Sequence, residues 1–467
     1  MSRNLFAFFL SVLANLASAQ CPTGDVIISS AADLNNYAIQ YANCDTLPGD
    51  LIISDPQTSI DLTVFSDLNM ISGDLHLQAI PPGAPDLTGF DQLSHIGGDL
   101  FMNGLPPISL NGLGALQRID GDLLIQFAGI TSFTGLSSLS VIGGDLEVIF
   151  APLTSLNGLV QLDSIYGDLT IKDGIEDPGF TLISLPNDLE YVGGSVHVES
   201  LYGTTITGGA ALDRIGGDLH IHGPALGSVS GLNNLNVIGG SLDLNFLPVF
   251  TTINAFNGLD TIHASFFMYQ TPMLAQLSGF PELEVIGSSM WITGNSLTTI
   301  SGFGQLTSIG TLQLAGCPML NNIAAFDHAI ALEHLVLEDN PALSYCHVQA
   351  VCDHLSPDPP IVADIVNNAT GCNSAAEVLS FCDFTTGIGS DSFGTAALYP
   401  NPSQDRLYVQ SAFPIELIRI IGINGKAIEM GSPATQWIDV SNLAEGAYIL
   451  ELYHSDHQKR MMFMKRY

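Results

Sequence analysis

Ile119-Asp-Gly-Asp-Leu-Leu-Ile125 and Ile165-Tyr-Gly-Asp-Leu-Thr-Ile171 are two copies of one phrase that returns thirteen times along a chain of 467 residues. Its aspartates stand at 50, 74, 99, 122, 145, 168 and 218, at steps of 23 to 25 residues apart from one step of 50, in which Ser195 holds the slot. A repeat of that length is one coil of a stack, because no single coil can bury its own apolar face. After the Gly-Asp pair, apolar residues alternate with others: Leu75 and Leu77, Leu100 and Met102, Leu146 and Val148, Leu219 and Ile221, Leu242 and Leu244, Met290 and Ile292, Leu335 and Leu337. Period two means a short strand with one buried side. Elsewhere apolar residues fall every third position, as in Leu156, Leu159, Leu162 and Ile165, which suits tight corners and 3₁₀ turns better than an α-helix. The glycine is read as permitting a positive φ at a sharp corner, and the aspartate as capping the N–H groups exposed there. At about 4.8 Å per coil, the stack is expected to be a mainly β solenoid on the order of 60 Å long.

The ends read differently. Arg3, the apolar stretch from Leu5 to Leu16 and the small residues Ala17-Ser-Ala19 have the form of a secretory signal peptide over 1–19. Gln20 stands where a lipoprotein signal needs a small residue, so Cys21 is not read as a lipid anchor. No other apolar run is long enough and free enough of glycine to span a membrane. Export permits disulfides, and six of the seven cysteines sit at the two ends of the repeat region, Cys21 and Cys44 before it and Cys346, Cys352, Cys372 and Cys382 after it. One bridge across an N-terminal cap and two within a C-terminal cap are expected, with Cys317 unpaired at a buried corner. A zinc site would call for a Cys-x-x-Cys knuckle, and none is present. The capped solenoid is thus placed at 20–382. Residues 383–394, rich in Gly, Ser, Thr and Asp, read as a linker. Beyond it, Arg406-Leu-Tyr-Val409, Ile415 to Ile420, Tyr448 to Tyr453 and Met461 to Met464, with turns such as Gly422-Ile-Asn-Gly425, read as a small Ig-like β-sandwich over 395–467.

Two resemblances follow from these residues. The coil phrase with its Leu-x-x-Leu-x-x-Ile continuation resembles the receptor L domain of the insulin and epidermal growth factor receptors over roughly residues 45–345. That resemblance implies a right-handed β-helix akin to leucine-rich repeats. This chain carries more coils than one L domain and lacks the cysteine-rich modules, membrane helix and kinase of those receptors, so their ligand specificity does not carry over. Leu398-Tyr-Pro-Asn-Pro402, Ile420-Ile-Gly-Ile-Asn-Gly425, Leu443-Ala-Glu-Gly-Ala-Tyr448 and the terminal Lys465-Arg466 resemble the C-terminal sorting domain of the type IX secretion system. The resemblance implies a Gram-negative bacterium of the Bacteroidota, passage through the outer membrane to the cell surface or medium, and the secretion machinery as a partner. Pro400, Asn401, Pro402, Gly446, Tyr448, Lys465 and Arg466 are the sorting-signal residues it points to.

The net charge is −35, and it is concentrated in the solenoid. Between 21 and 382 only Arg118, Lys172 and Arg214 oppose thirty-seven acidic residues, a balance of −34. Nucleic acid and anionic membrane surfaces are poor partners for such a field and cations or a basic partner better ones, while the same charge equally serves solubility on a surface with few other charges. No His-Glu-x-x-His, Gly-x-Ser-x-Gly, phosphate-binding glycine loop or EF-hand loop occurs, so no catalytic residue, metal site or cofactor is assigned.

Chemistry must then come from side chains brought together by stacking. Along the outward strand position, His197, His220 and Asp243 fall on successive coils, with Glu199, His222 and Asn245 two residues further on. Imidazoles with carboxylates can bind a metal or serve acid–base chemistry, and equally form a solvated face. Phe267, Tyr269 and Trp291 follow on adjacent coils and are expected to make an aromatic platform for a sugar ring or a protein partner, unless a loop or the C-terminal domain covers it. The aspartate ladder is read as turn capping. Ca²⁺ shared between its carboxylates is the cofactor alternative, weakened by Ser195, Ser241 and Ser265 in equivalent slots. The expectation is a secreted or surface-held, non-catalytic binding or adhesion protein for a glycan or protein ligand. The alternative is a lyase-like β-helical enzyme acting on polysaccharides.

Overall fold

The computed structural model describes residues 21–466 apart from 55, 57–59, 81–85, 154, 174–181, 330–331, 357–362, 386–395, 412–414, 423–426, 430–436 and 455–456. The leader read at 1–19, residues 386–394 of the linker and the Gly422–Gly425 turn beyond its first residue lie outside the described residues; 383–385 continue the helix Ala375–Thr385. Up to Ala375 the chain is one compact unit, a β-solenoid of about thirteen coils, and from Ala376 onward a second.

Most coils of the solenoid contribute a two-residue strand, a tight turn and a longer strand, paired in parallel with neighbouring coils, while Val285–Thr293 and Ser308–Ala315 run through the turn as single strands. Leu146–Ile149, for instance, lies between Leu123–Gln126 and Leu169–Lys172, with Leu146, Leu123 and Leu169 in register. In Leu169–Lys172 the first and third residues point inward and are closed to solvent, Leu169 and Ile171 at 0% exposure, while Thr170 and Lys172 are partly exposed. Burial therefore follows the two-residue period. The third side of the coil carries 3₁₀ turns and short strands, including the four-stranded sheet Leu182–Leu185, Thr205–Gly208, Ser228–Ser230 and Thr252–Asn254. Here equivalent phenylalanines stack coil on coil: Phe256, Phe280, Phe303 and Phe326 have successive ring centroids 5.4, 5.2 and 5.6 Å apart. Offset stacking of this kind adds to the apolar burial that holds neighbouring coils together.

The Gly-Asp pair works differently from the sequence expectation. None of Gly49, Gly73, Gly98, Gly121, Gly144 or Gly167 has a positive φ. What the position demands is space. The Asp122 Oδ1 accepts the backbone N–H of Asp145, one coil on, at 2.7 Å, and Asp145 does the same for Asp168 at 2.7 Å. The chain of such bonds runs from Asp25 through Asp168, Ser195 and Asp218 to Ser241 and Ser265. A Cβ at Gly144 would lie 1.9 Å from the Asp122 Oδ1, so only glycine lets the carboxylate reach over it. Serine hydroxyls satisfy the same geometry, which explains their place in the ladder. Burial, together with the Asp99 and Asp145 carboxylates on either side, pushes the Asp122 carboxyl above its ordinary range, against the bond from the Asp145 N–H. Gly144→Ala is expected to displace Asp122, strand the Asp145 N–H and cost about 1.5–3 kcal/mol. Gly114→Ala, whose Cβ would meet nothing within 4 Å, should be tolerated; equal denaturant midpoints for the two variants would contradict this account.

The caps are helical, which the repeat pattern did not disclose. Ala31–Tyr41 starts at Ser30, whose side chain accepts the Asp33 N–H, and buries Leu34 and Tyr37 on the first coil. Tyr37 packs 4.8 Å from Phe65, and burial pushes its hydroxyl up to about 12. Cys21 is bridged to Cys44 and Cys346 to Cys372; Cys352 and Cys382 are disulfide-bonded as well. Cys317 is a buried free thiol whose N–H donates to the Asn340 Oδ1 at 2.9 Å. Among the described residues no helix is long and apolar enough to cross a membrane.

The second unit has two antiparallel sheets, one of Ala396–Tyr399, Arg406–Ser411 and Trp437–Asp439, the other of Ala427–Glu429, Leu417–Gly422, Gly446–His454 and His457–Lys465. They share a core of Leu407, Val409, Ile418, Ile420, Ile438, Val440, Leu450, Leu452 and Phe463.

Candidate functional site

Register turns separate sequence positions into one surface. His197 pairs with His220, His220 with Asp243, Asp243 with Phe267 and Phe267 with Trp291. Because the strands are parallel and in phase, their outward side chains form a straight row at one-coil intervals of about 4.8 Å. Beside this row opens a hollow of about 510 Å³ lined by Lys172, His197, Glu199, His220, Asp243 and Phe267, among others.

The polar half is internally bonded. His220 Nδ1 lies 3.1 Å from Asp243 Oδ2, and Lys172 Nζ lies 2.6 Å from Glu199 Oε2. The rings of His197 and His220 are 6.1 Å apart, those of His220 and His222 6.3 Å. The hydrogen bond to Asp243 raises the His220 imidazole above its ordinary pKa, against burial; the negative charges of Asp243, Glu199 and Asp218 add to the rise. Asp243 Oδ1 is buried and meets no donor among the described residues. Among them, too, no three His, Cys, Asp or Glu side chains group to hold a metal ion. Asn245 does not belong to the exposed patch. It is 6% exposed and its Oδ1 accepts the Tyr269 N–H at 3.1 Å, a corner contact that holds two coils together. With the His220 pKa raised in the folded state, the pair's contribution to stability is complete below about pH 6.5, the unfolded value, and fades as pH rises through the folded one. Asp243→Asn should lower the His220 titration midpoint in NMR; an unmoved midpoint would show that the bond does not govern it.

The aromatic half divides into two pairs. Phe267 and Trp291 meet edge to face at 5.7 Å, with Trp291 44% exposed. Tyr269 turns instead to Phe246, 4.9 Å away, and Phe246 also lies 5.2 Å from the ring of His222. Phe246 was not visible as a site residue from alternation, because it stands one place beyond the strand, at the corner. It adopts φ +53° there, as Phe127 and Phe150 do at +49° and +51°, in a slot that Gly104, Gly294 and Gly316 fill on other coils. A bulky residue in the left-handed region costs roughly 1–2 kcal/mol. Lys172 is likewise joined to the patch only by folding, through its ion pair with Glu199, which the alternation already places there.

In the second unit the sorting residues cluster. Asn401 Oδ1 accepts the Met464 N–H at 2.9 Å, and the Asn401 amide donates to the Met462 carbonyl at 3.2 Å. Ser403 and Arg466 exchange a further contact, the Arg466 N–H donating to the Ser403 carbonyl at 2.9 Å. Pro400, Pro402, Arg406, Tyr408, Trp437 and Arg466 line one hollow, with the Arg406 guanidinium 4.6 Å over the Trp437 ring. Gly446 pairs with Lys465, which is 4% exposed, and the Tyr448 ring stacks on Phe463 at 5.6 Å. The Pro-Asn-Pro turn and the basic C-terminus, at opposite ends of the unit's sequence, are thus one surface. No curated protein matches the chain. Residues 397–465 match the family described as a secretion system C-terminal sorting domain, and this unit accordingly marks the chain for type IX export to the cell surface or beyond.

Proposed function

We propose that this is an exported, non-catalytic binding protein of a Gram-negative bacterium of the Bacteroidota, a receptor L domain-like solenoid that offers its outward strand face to a glycan or protein ligand. The observation that carries the reading is the unbroken row from His197 to Trp291 beside an open hollow. It combines hydrogen-bonding groups with an exposed indole on strands too rigid to rearrange, which is how binding anchors are commonly built. The His220–Asp243 pair in the same hollow favours a second reading, a polysaccharide-acting enzyme with that pair as acid–base machinery. Three basic residues in 21–382 weigh against it, because lyase chemistry on uronates calls for cations at the substrate carboxylate.

The test is an array of glycans and proteins probed with the mature protein, run beside depolymerisation assays on the same glycans. Retention on at least one ligand is expected, weakened about tenfold by Trp291→Ala at an unchanged melting temperature, with no cleavage. Turnover abolished by His220→Ala would establish the enzyme instead.

A further inference from the structure

We infer that the ligand of this face is a glycan without anionic groups, its ring faces against Phe246, Phe267 and Trp291 and its hydroxyl or amino groups in the hollow at Asp243. The inference rests on the binding reading above. Three observations select this chemistry. First, every long strand of the row is hydrogen-bonded to a neighbouring coil on both sides. An extended peptide would find no strand edge to pair with, and peptide recognition on sheets draws much of its affinity from such pairing. A glycan is held by side chains alone.

Second, the hollow mixes donors and acceptors as hydroxyl groups require. Lys172, His197 and His220 can donate, and Glu199 and Asp243 accept. The balance of −34 over 21–382 repels uronates and sulfated sugars, so the ligand is neutral or carries amines.

Third, Phe246 is 42% exposed, in a left-handed backbone conformation that three other coils give to glycine. Phe127 and Phe150 take the same left-handed corner on other coils, so it is the exposure of the Phe246 ring beside the row, and not its backbone conformation, that offers it to a ligand. Its ring meets those of His222 and Tyr269, which stand two residues beyond His220 and Phe267 on the same outward side.

Phe246→Gly separates a ligand contact from a packing role. The mature protein and this variant would be titrated with neutral gluco-, manno- and xylo-hexaoses, a glucosamine hexaose, and oligogalacturonate, and their melting temperatures compared. Binding to at least one neutral or amino oligosaccharide is expected, about tenfold weaker in Phe246→Gly and in Trp291→Ala, with the Phe246→Gly melting temperature unchanged or raised. The neutral and amino arms identify which of the two sugar types is bound. Tightest binding to oligogalacturonate, or a lowered melting temperature in Phe246→Gly with unchanged affinity, would overturn the inference. Retention on protein spots alone, lost in Trp291→Ala, would overturn it while leaving the binding reading intact. No retention on any glycan or protein would overturn both.

Discussion

Leu169→Asp is expected to break the solenoid at its middle. Leu169 is closed to solvent and sits in register between Leu146 and Val196, so the substitution removes a packed side chain and puts a carboxylate among leucines. Truncating such a residue to alanine costs about 2–5 kcal/mol, and an unpaired carboxylate adds a desolvation penalty on top. The penalty spreads, because each coil is stabilised chiefly by its two neighbours and a failed coil exposes the apolar faces of both. Thr170→Asp, one residue along on the outward side, should leave the unfolding midpoint nearly unchanged. Denaturation followed by circular dichroism compares the two, and equal losses would mean that the inward phase of the strand is misassigned.

Removal of 395–467 is expected to abolish surface delivery while the solenoid stays folded. The matched sorting family covers 397–465, and the unit that contains it has a core of its own. A cut at 395 keeps Cys352 and Cys382, both disulfide-bonded, in the retained chain. The truncated protein should collect in the periplasm with the melting temperature of the intact solenoid. Fractionation with protease accessibility of whole cells measures this, and normal display would show that the sorting signal lies elsewhere. Asn401→Ala is a milder form of the same experiment, since it cuts the hydrogen bonds that tie the Pro-Asn-Pro turn to Met462 and Met464.

Most of the coil is legible in the residues alone. Alternation at Leu75 and Leu77 or Leu146 and Val148 reports burial directly, because a strand sends successive side chains to opposite sides whatever surrounds it. The period of the aspartates fixes which residues stack, and so places His220 beside Asp243 and Phe267 beside Trp291 before any coordinates are known. Other features are properties of the stack and have no local signal. The glycine of Gly144-Asp145 is required by a carboxylate arriving from the coil before, so its role is invisible within its own coil. Asn245 shares the strand alternation of His222 yet is buried, because its amide oxygen serves the next coil. Phe246 joins the site through a corner conformation, and Lys172 meets Glu199 across a 27-residue separation. Sequence by itself determined the coil, its inward and outward sides and the export unit, since each rests on short-range periodicity or motif. Only the tertiary structure decided which side chains share a surface and which are consumed in holding coils together, since both depend on atoms contributed by neighbouring coils.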